Sequence, residues 1–263
     1  MELTNILQHS KTVKANTTLK WIPADTEEAF LKRLKKYPND PSLQHYLHNP
    51  IEYKMNNMGF RTPVDFVDGV EGNLFLGCSH TMGIGHHLEN VWAWKLNEYI
   101  GGNFLNASVG GAGIGTGFRL LYGLKEIIRP KNVFLFFPQP YRFEYYNSYD
   151  ATWTTASVNI AKKNEFPIII EKNNMEMYYY VHFNAIKTLC DELDANLFTL
   201  QGDTLVLGYP TSKKIPITAR DNHLDIQQQC MIFERFKYVY DNNIKPSSRP
   251  LQIKYSTANR ILT

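Results

Sequence analysis

The chain has 263 residues and a formal net charge of +3, which is enough length for one ordinary α/β domain with an extension. Its densest basic cluster, residues 32–36, is typical of a solvated helix face, so we predict no nucleic-acid partner. The longest purely apolar runs have the length of strands, and we therefore expect no membrane span.

The cysteines and the first residues predict the cellular location of the protein. Cys78, Cys190 and Cys230 are odd in number and widely spaced, and no C-x-x-C pair occurs. This predicts free thiols in a reducing environment, with Cys78 packed at a strand end. Met1–Thr4 lacks a basic region followed by an apolar core, so we expect no secretory signal. The expected location is the cytoplasm or a viral particle.

The N-terminal part carries little periodicity. Residues 1–52 are interpreted as an arm or extension that could bind a partner protein, and residues 246–263 as an irregular tail. Within the extension, Asp25 and Glu28 resemble a capping box that begins a helix. The main domain is expected to span residues 53–245.

The central stretch begins with the short apolar strand Leu74–Leu76, which Gly77 ends. Ser79 therefore lies at the carboxyl end of a strand. Trp92, Leu96 and Ile100 then recur at helical spacing.

A second strand, Phe104–Leu105, leads to the turn Asn106–Gly110. The next helix is predicted from an apolar stripe that includes Leu121 and Ile128, with Pro130 closing it. This β-α-β-α order predicts a parallel sheet covered by helices on both faces.

Ligands of such sheets bind beyond the carboxyl ends of the strands. The Ser79 hydroxyl at one turn and the Gly110 amide at the next are groups that acyl transfer requires, a nucleophile and an oxyanion donor. The alternative is that these residues only form turns and cap helices. Neither a G-x-G-x-x-G nor a P-loop motif is present, which disfavours a nucleotide- or flavin-binding protein, and Ser79 lacks the last glycine of G-x-S-x-G.

The later elements continue the alternation. Aromatic residues are dense after the third strand, where Tyr141 and Tyr145 are predicted to form a substrate wall together with His80 of the Ser79 turn, although a packed insertion would have the same composition. The remaining predicted elements are a strand at Val133–Phe137, a possible strand at Phe166–Ile170, a helix with Phe183, Ile186 and Leu189, a strand at Asn196–Leu200, a possible edge strand at Thr204–Leu207, and a helix with Ile232, Phe236 and Val239.

The segments around Ser79 and Gly110 resemble a known family. FLGCSHTMGIG is similar to the first block of the SGNH (GDSL-like) hydrolases, and Asn106–Gly110 to their second block. Residues 53–61 are similar to the segment that leads into that domain. The resemblance covers about residues 53–240. It implies a three-layer α/β/α sandwich with a flavodoxin-like sheet, a serine esterase activity that needs no cofactor, and an oxyanion hole of the Ser79 and Gly110 amides.

The resemblance also places the catalytic base at His223, before the last helix. A serine hydroxyl needs an imidazole to remove its proton and a carboxylate to orient that imidazole. Asp221 lies two residues before His223 rather than the usual three, and in an extended loop it would point to the same side. Asp225 is the competing partner.

The third block of the family, Gly-x-Asn-Asp, is absent. Gln139 or Arg142 could supply the missing oxyanion donor, or neither does. His80, His86 and His87 match no usual zinc spacing, so we predict no metal.

The sequence thus favours a serine esterase of SGNH type, with O-acetyl groups on a carbohydrate as the first substrate class, ahead of lipid or small aryl esters. The alternative is a catalytically degenerate module that binds or builds a virion or surface assembly.

Overall fold

The computed structural model describes residues 6–9, 14–21, 27–136, 142–157, 172–202, 224, 226–246 and 252–253. The strands are, in chain order, β1 Thr18–Trp21, β2 Ile51–Lys54, β3 Val70–Gly77, β4 Phe104–Asn106, β5 Ile128–Phe136, β6 Arg142–Asn147, β7 Thr152–Ser157, β8 Asn196–Gly202 and β9 Gln252–Ile253. The helices are α1 Glu27–Lys36, α2 Pro41–His48, α3 Ser79–Met82, α4 Trp92–Ile100, α5 Ile114–Leu124, α6 Lys172–Glu192 and α7 Ile226–Asp241, with a 3₁₀ turn at Leu88–Asn90.

The central sheet has the strand order β4-β3-β5-β8-β9, and every neighbouring pair is parallel. Counted along the chain from β3, this is the order 2-1-3-4-5 of flavodoxin-like sheets. The predicted parallel flavodoxin-like sheet is therefore confirmed. In this order the switch point lies between β3 and β5, so the Ser79 turn leaves the sheet where the fold forms a crevice.

Helices cover both faces of the sheet. Helices α5 and α6 pack together on one face, where Leu121 and Phe183 are fully buried. Helices α4 and α7 pack together on the other, where the Trp92 and Phe236 rings stack 4.5 Å apart. The three-layer α/β/α architecture follows from these two apolar clusters.

A ladder of asparagine side chains crosses the sheet near the beginning of its strands. Asn73, Asn132 and Asn196 occupy the same register on β3, β5 and β8. The Asn132 amide donates to Asn73 at 2.8 Å, and the Asn196 amide donates to Asn132 at 3.2 Å. Asn73 and Asn132 are buried, so a slip by one residue would leave buried amides unpaired, and the ladder therefore favours a single register.

Two predictions are wrong, one about the end of a helix and one about the C-terminal tail. Helix α5 ends at Leu124, and Ile128 and Pro130 belong to β5. The strand tolerates Pro130 because the register with β3 shifts directly after it, and a proline without an N–H is accepted at such a bulge. The C-terminal tail, predicted to be irregular, contributes the edge strand β9 beside β8.

The described part of residues 1–52 packs on the main domain. β1 pairs with β2 in antiparallel fashion, Leu7 joins the apolar cluster of α5 and α6, and His9 forms a bridge with Trp153. Strands β6 and β7 form an antiparallel hairpin in the aromatic-rich part of the chain that follows β5. The possible strands at residues 166–170 and 204–207 lie outside the described residues. Among the described helices, none has the length and apolar character needed to cross a membrane.

Candidate active site

Ser79 begins α3 directly beyond the end of β3 and is 7% exposed. The turn depends on Gly77, where a Cβ would lie 2.7 Å from the Thr81 Cβ and 2.8 Å from the Phe136 carbonyl oxygen. Only a glycine allows α3 to fold back this closely on the sheet. Cys78 is fully buried in the core, as its predicted packing role requires.

The turn after β4 lies beside the end of β3. The Val109 amide donates to the Gly77 carbonyl at 3.1 Å, which extends the parallel ladder beyond β4. The buried Asn106 carboxamide accepts from the Ser108 amide at 3.1 Å and closes the turn. Gly110 follows at a partly exposed position, and a Cβ there would have no heavy atom within 4 Å. The turn thus offers open space beside the backbone of Gly110.

Arg142 lies at the same edge of the sheet, at the beginning of β6. Its Nη1 donates to the Ala112 carbonyl at 3.3 Å, and a Cβ at Gly113 would meet the Arg142 carbonyl oxygen at 2.7 Å. The Arg142 guanidinium therefore bonds to the backbone two residues after Gly110, within the same loop. This contact gives Arg142 a positional reason to be considered as an oxyanion donor.

The loop that follows Ser79 contacts the segment that follows His223. His86 is 8% exposed, and its Nε2 lies 2.5 Å from the carbonyl oxygen of Leu224. Gln229, which is 1% exposed, accepts from the Trp92 amide at 2.9 Å and donates to the His80 carbonyl at 3.4 Å. The N-terminal part of α7 is thereby joined to the Ser79 loop.

The remaining predicted site residues divide into two groups. His80 is buried beside Ser79, and Tyr145 is half-buried in β6, opposite Thr154 of β7. The others, His223, Asp221, Asp225, Gln139 and Tyr141, lie outside the described residues. Their roles stay predictions.

Sequence reasoning missed the part that Arg61 plays. Its guanidinium is buried, with Nη1 donating to the carbonyls of Met82 at 2.9 Å and Gly83 at 2.7 Å, and Nη2 donating to His86 at 2.7 Å. Its own carbonyl accepts from the Asn106 carboxamide at 3.2 Å. Arg61 therefore joins the Ser79 loop to the Gly110 turn. The available signal was a single basic residue between Phe60 and Thr62.

Burial lowers the pKa of Arg61 to about 10, while the nearby Tyr53 and Glu89 act against this shift. The group still carries its charge at neutral pH. Its guanidinium carbon lies 3.9 Å from the centroid of the Tyr53 ring, and the Tyr53 hydroxyl accepts from the Gly85 amide at 2.7 Å. The loop after Ser79 is thus held by a charged side chain and by an aromatic hydroxyl.

In the part of the chain that the structure describes, no three His, Cys, Asp or Glu residues lie close enough together to hold a metal ion. A groove of about 570 Å³ lies between α4 and α7 and contains no predicted site residue. It is lined by Glu89, Trp94, Lys95, Glu98, Cys230, Phe233 and Glu234.

No protein-family model and no curated protein matches the chain. Among solved structures, a carbohydrate esterase, described as having divergent catalytic and non-catalytic binding functions at its active site, matches with a TM-score of 0.42 and 10% identity over 71% of this chain and 68% of that chain. TesA matches with a TM-score of 0.32 and 14% identity, over 69% of this chain and 76% of that one.

A GDSL-like lipase from Bacteroides thetaiotaomicron also matches, with a TM-score of 0.29 and 12% identity over 78% of this chain and 76% of that chain. The superpositions are partial, and the fold described above rests on the strand order of the chain itself.

Proposed function

We propose that the protein is a serine ester hydrolase of SGNH type. The observation that carries the proposal is the meeting of two turns at the switch point of the sheet, where Ser79 leaves β3 and the Gly110 turn bonds to Gly77. Parallel sheets bind ligands at this place. One turn offers the Ser79 hydroxyl, and the other offers the Gly110 backbone with open space beside it. The contact of His86 with Leu224 adds support, because Leu224 directly follows His223 in the chain.

In the proposed reaction the Ser79 oxygen attacks the ester carbonyl while His223 takes the hydroxyl proton. The amides of Ser79 and Gly110 stabilise the oxyanion, helped by Gln139 or Arg142. His223 then gives its proton to the leaving alcohol, and a water molecule hydrolyses the acyl-enzyme by the same route. Asp221 or Asp225 orients the imidazole.

As substrate we propose an O-acetylated carbohydrate. The hairpin β6–β7 is the next described element after β5, and it carries Tyr145, Tyr146 and Trp153. Aromatic faces stack on sugar rings, and tyrosine hydroxyls bond to sugar hydroxyls. An acetyl group also suits a serine that is only 7% exposed, since a short acyl chain needs little room.

The test is hydrolysis of 4-nitrophenyl acetate by the wild type and by Ser79→Ala, with fluorophosphonate labelling as a second measurement. We expect turnover and labelling to vanish in Ser79→Ala and to persist in Ser148→Ala, where an exposed serine of the hairpin turn is removed. The value of kcat/KM should rise from acid to neutral pH, since the base must be neutral. Faster release of acetate from acetylated oligosaccharides than of butyrate from 4-nitrophenyl butyrate would support the substrate class.

The absence of the family's third block and the short spacing between Asp221 and His223 favour a second candidate, a binding module that keeps the fold without the chemistry. That candidate predicts a folded protein with neither turnover nor Ser79 labelling.

A further inference from the structure

The His86 side chain makes a buried contact across two segments of the chain. Its Nε2 lies 2.5 Å from the Leu224 carbonyl oxygen, and the two residues are 8% and 3% exposed. A carbonyl oxygen can only accept, so the imidazole nitrogen must be the donor and must carry a proton. Leu224 is the residue that directly follows His223.

The backbone that carries His86 is itself fixed. The Arg61 guanidinium donates to the carbonyls of Gly83 and His86, each at 2.7 Å. The Gly85 amide between them donates to the Tyr53 hydroxyl at 2.7 Å. The imidazole therefore extends from a backbone held on both sides, and its donor has a defined position.

The other end of the contact is also anchored. The Leu224 side chain is buried in the apolar cluster that contains Trp92 and Phe236. Gln229, in the first turn of α7, bonds to the Trp92 amide and to the His80 carbonyl. Two contacts, at residues 224 and 229, thus join this segment to the loop that follows Ser79.

We propose that His86 is a positioning residue of the esterase site, which fixes the segment carrying His223 relative to Ser79. The inference rests on the proposed function, because it assigns His86 a role through His223. A base must lie within hydrogen-bond reach of its nucleophile, and a displacement of about 1 Å can lower turnover by about 100-fold. A bond to the carbonyl adjacent to the base is well placed to prevent such a displacement.

The test compares His86→Leu, which removes the donor, with His86→Gln, whose side-chain amide can donate to the same carbonyl. His87→Leu is the matched control, since His87 is the half-buried neighbour and makes no capping bond to the 3₁₀ turn. We expect His86→Leu to lower kcat by about 10- to 100-fold with little change in KM, and to slow fluorophosphonate labelling of Ser79. His86→Gln should restore most of kcat, and His87→Leu should match the wild type.

Rates are compared at a temperature at which each variant is fully folded by circular dichroism. Hydrogen–deuterium exchange of the amides in residues 226–232 reports the contact without relying on activity, and it should accelerate in His86→Leu but not in His86→Gln. Equal kcat in all variants, or equal losses in His86→Gln and His86→Leu, would overturn the positioning role while the esterase stands. A wild type without Ser79-dependent turnover or labelling would overturn the proposed function, and the positioning role with it.

Discussion

At the scale of single residues, Arg61 shows how a buried charge can organise a loop. Its three side-chain bonds all go to backbone carbonyls, those of Met82, Gly83 and His86. The planar guanidinium has donors in fixed directions, so one side chain can satisfy several carbonyls that no helix or strand pairs. A lysine could not reproduce this arrangement, because its ammonium is a single compact centre.

Gly77 allows a first prediction about stability. In Gly77→Ala the new Cβ would meet the Thr81 Cβ at 2.7 Å and the Phe136 carbonyl at 2.8 Å, so the free energy of unfolding should fall by about 1–3 kcal/mol. Urea unfolding monitored by tryptophan fluorescence measures the change. Gly110→Ala is the matched control, because nothing lies within 4 Å of its Cβ, and it should unfold at the wild-type midpoint. Equal midpoints for the two variants would contradict the steric argument.

At the scale of elements, the hairpin β6–β7 is fastened to α5 and to the N-terminal segment by one buried ion pair. Arg119 donates to both oxygens of Glu144, at 2.8 and 2.7 Å, and also to the Ile6 carbonyl. The two side chains are 8% and 3% exposed. His9 bonds to Thr155 of the hairpin at 3.1 Å, so the first described residues contact the same place.

Removing one partner of this pair should be costly. In Glu144→Ala the Arg119 charge would stay buried without its carboxylate, and we expect a loss of about 3–5 kcal/mol in the free energy of unfolding. The double variant Arg119→Met/Glu144→Leu should regain most of it. Lys131→Ala is the control. The Lys131 ammonium lies 2.8 Å from the Glu71 carboxylate, but both side chains are solvent-exposed, so water screens this pair. A double variant no more stable than Glu144→Ala would argue against the ion pair as the cause.

At the scale of the whole molecule, helix α6 carries three groups that ionise in alkali, of which Tyr179 and Cys190 are buried and Tyr178 is half-buried. Burial raises the pKa of Tyr178 to about 12, raises that of Tyr179, and raises that of Cys190 from 9.0 to about 12. In the folded state these groups hold their protons more tightly than in the unfolded chain. Their stabilising effect is complete below about pH 9 and is lost as the pH rises towards 12. Arg61, whose pKa is lowered to about 10, acts in the opposite direction.

The molecule should therefore unfold progressively in alkali. We expect the urea midpoint to fall between pH 9 and pH 11, because the unfolded chain releases protons that α6 retains. Tyr178→Phe should flatten this fall, whereas Tyr149→Phe should not, since Tyr149 is 97% exposed. Circular dichroism at each pH measures the midpoints. A midpoint that is constant across this range would refute the assignment.

The sequence predicted the alternation of strands and helices well, because apolar periodicity reports which face of an element is buried. The structure confirms the strands at Leu74–Leu76 and Phe104–Leu105 and the helices at Trp92 and Ile232. It also confirms the three-layer α/β/α sandwich. Boundaries failed where a tertiary contact overrides a local preference. Pro130 lies inside β5 because a bulge accepts it there, and β9 exists because β8 offers it an edge.

The sequence by itself also determined where Ser79 and Gly110 lie, since a turn after a parallel strand must lie at the carboxyl edge of the sheet. Only the tertiary structure could decide what holds those turns. Arg61 contacts residues 21 to 25 positions away, and His86 contacts Leu224 across 138 positions. Local periodicity carries no information about such pairs, because they form only when distant elements pack against the same sheet.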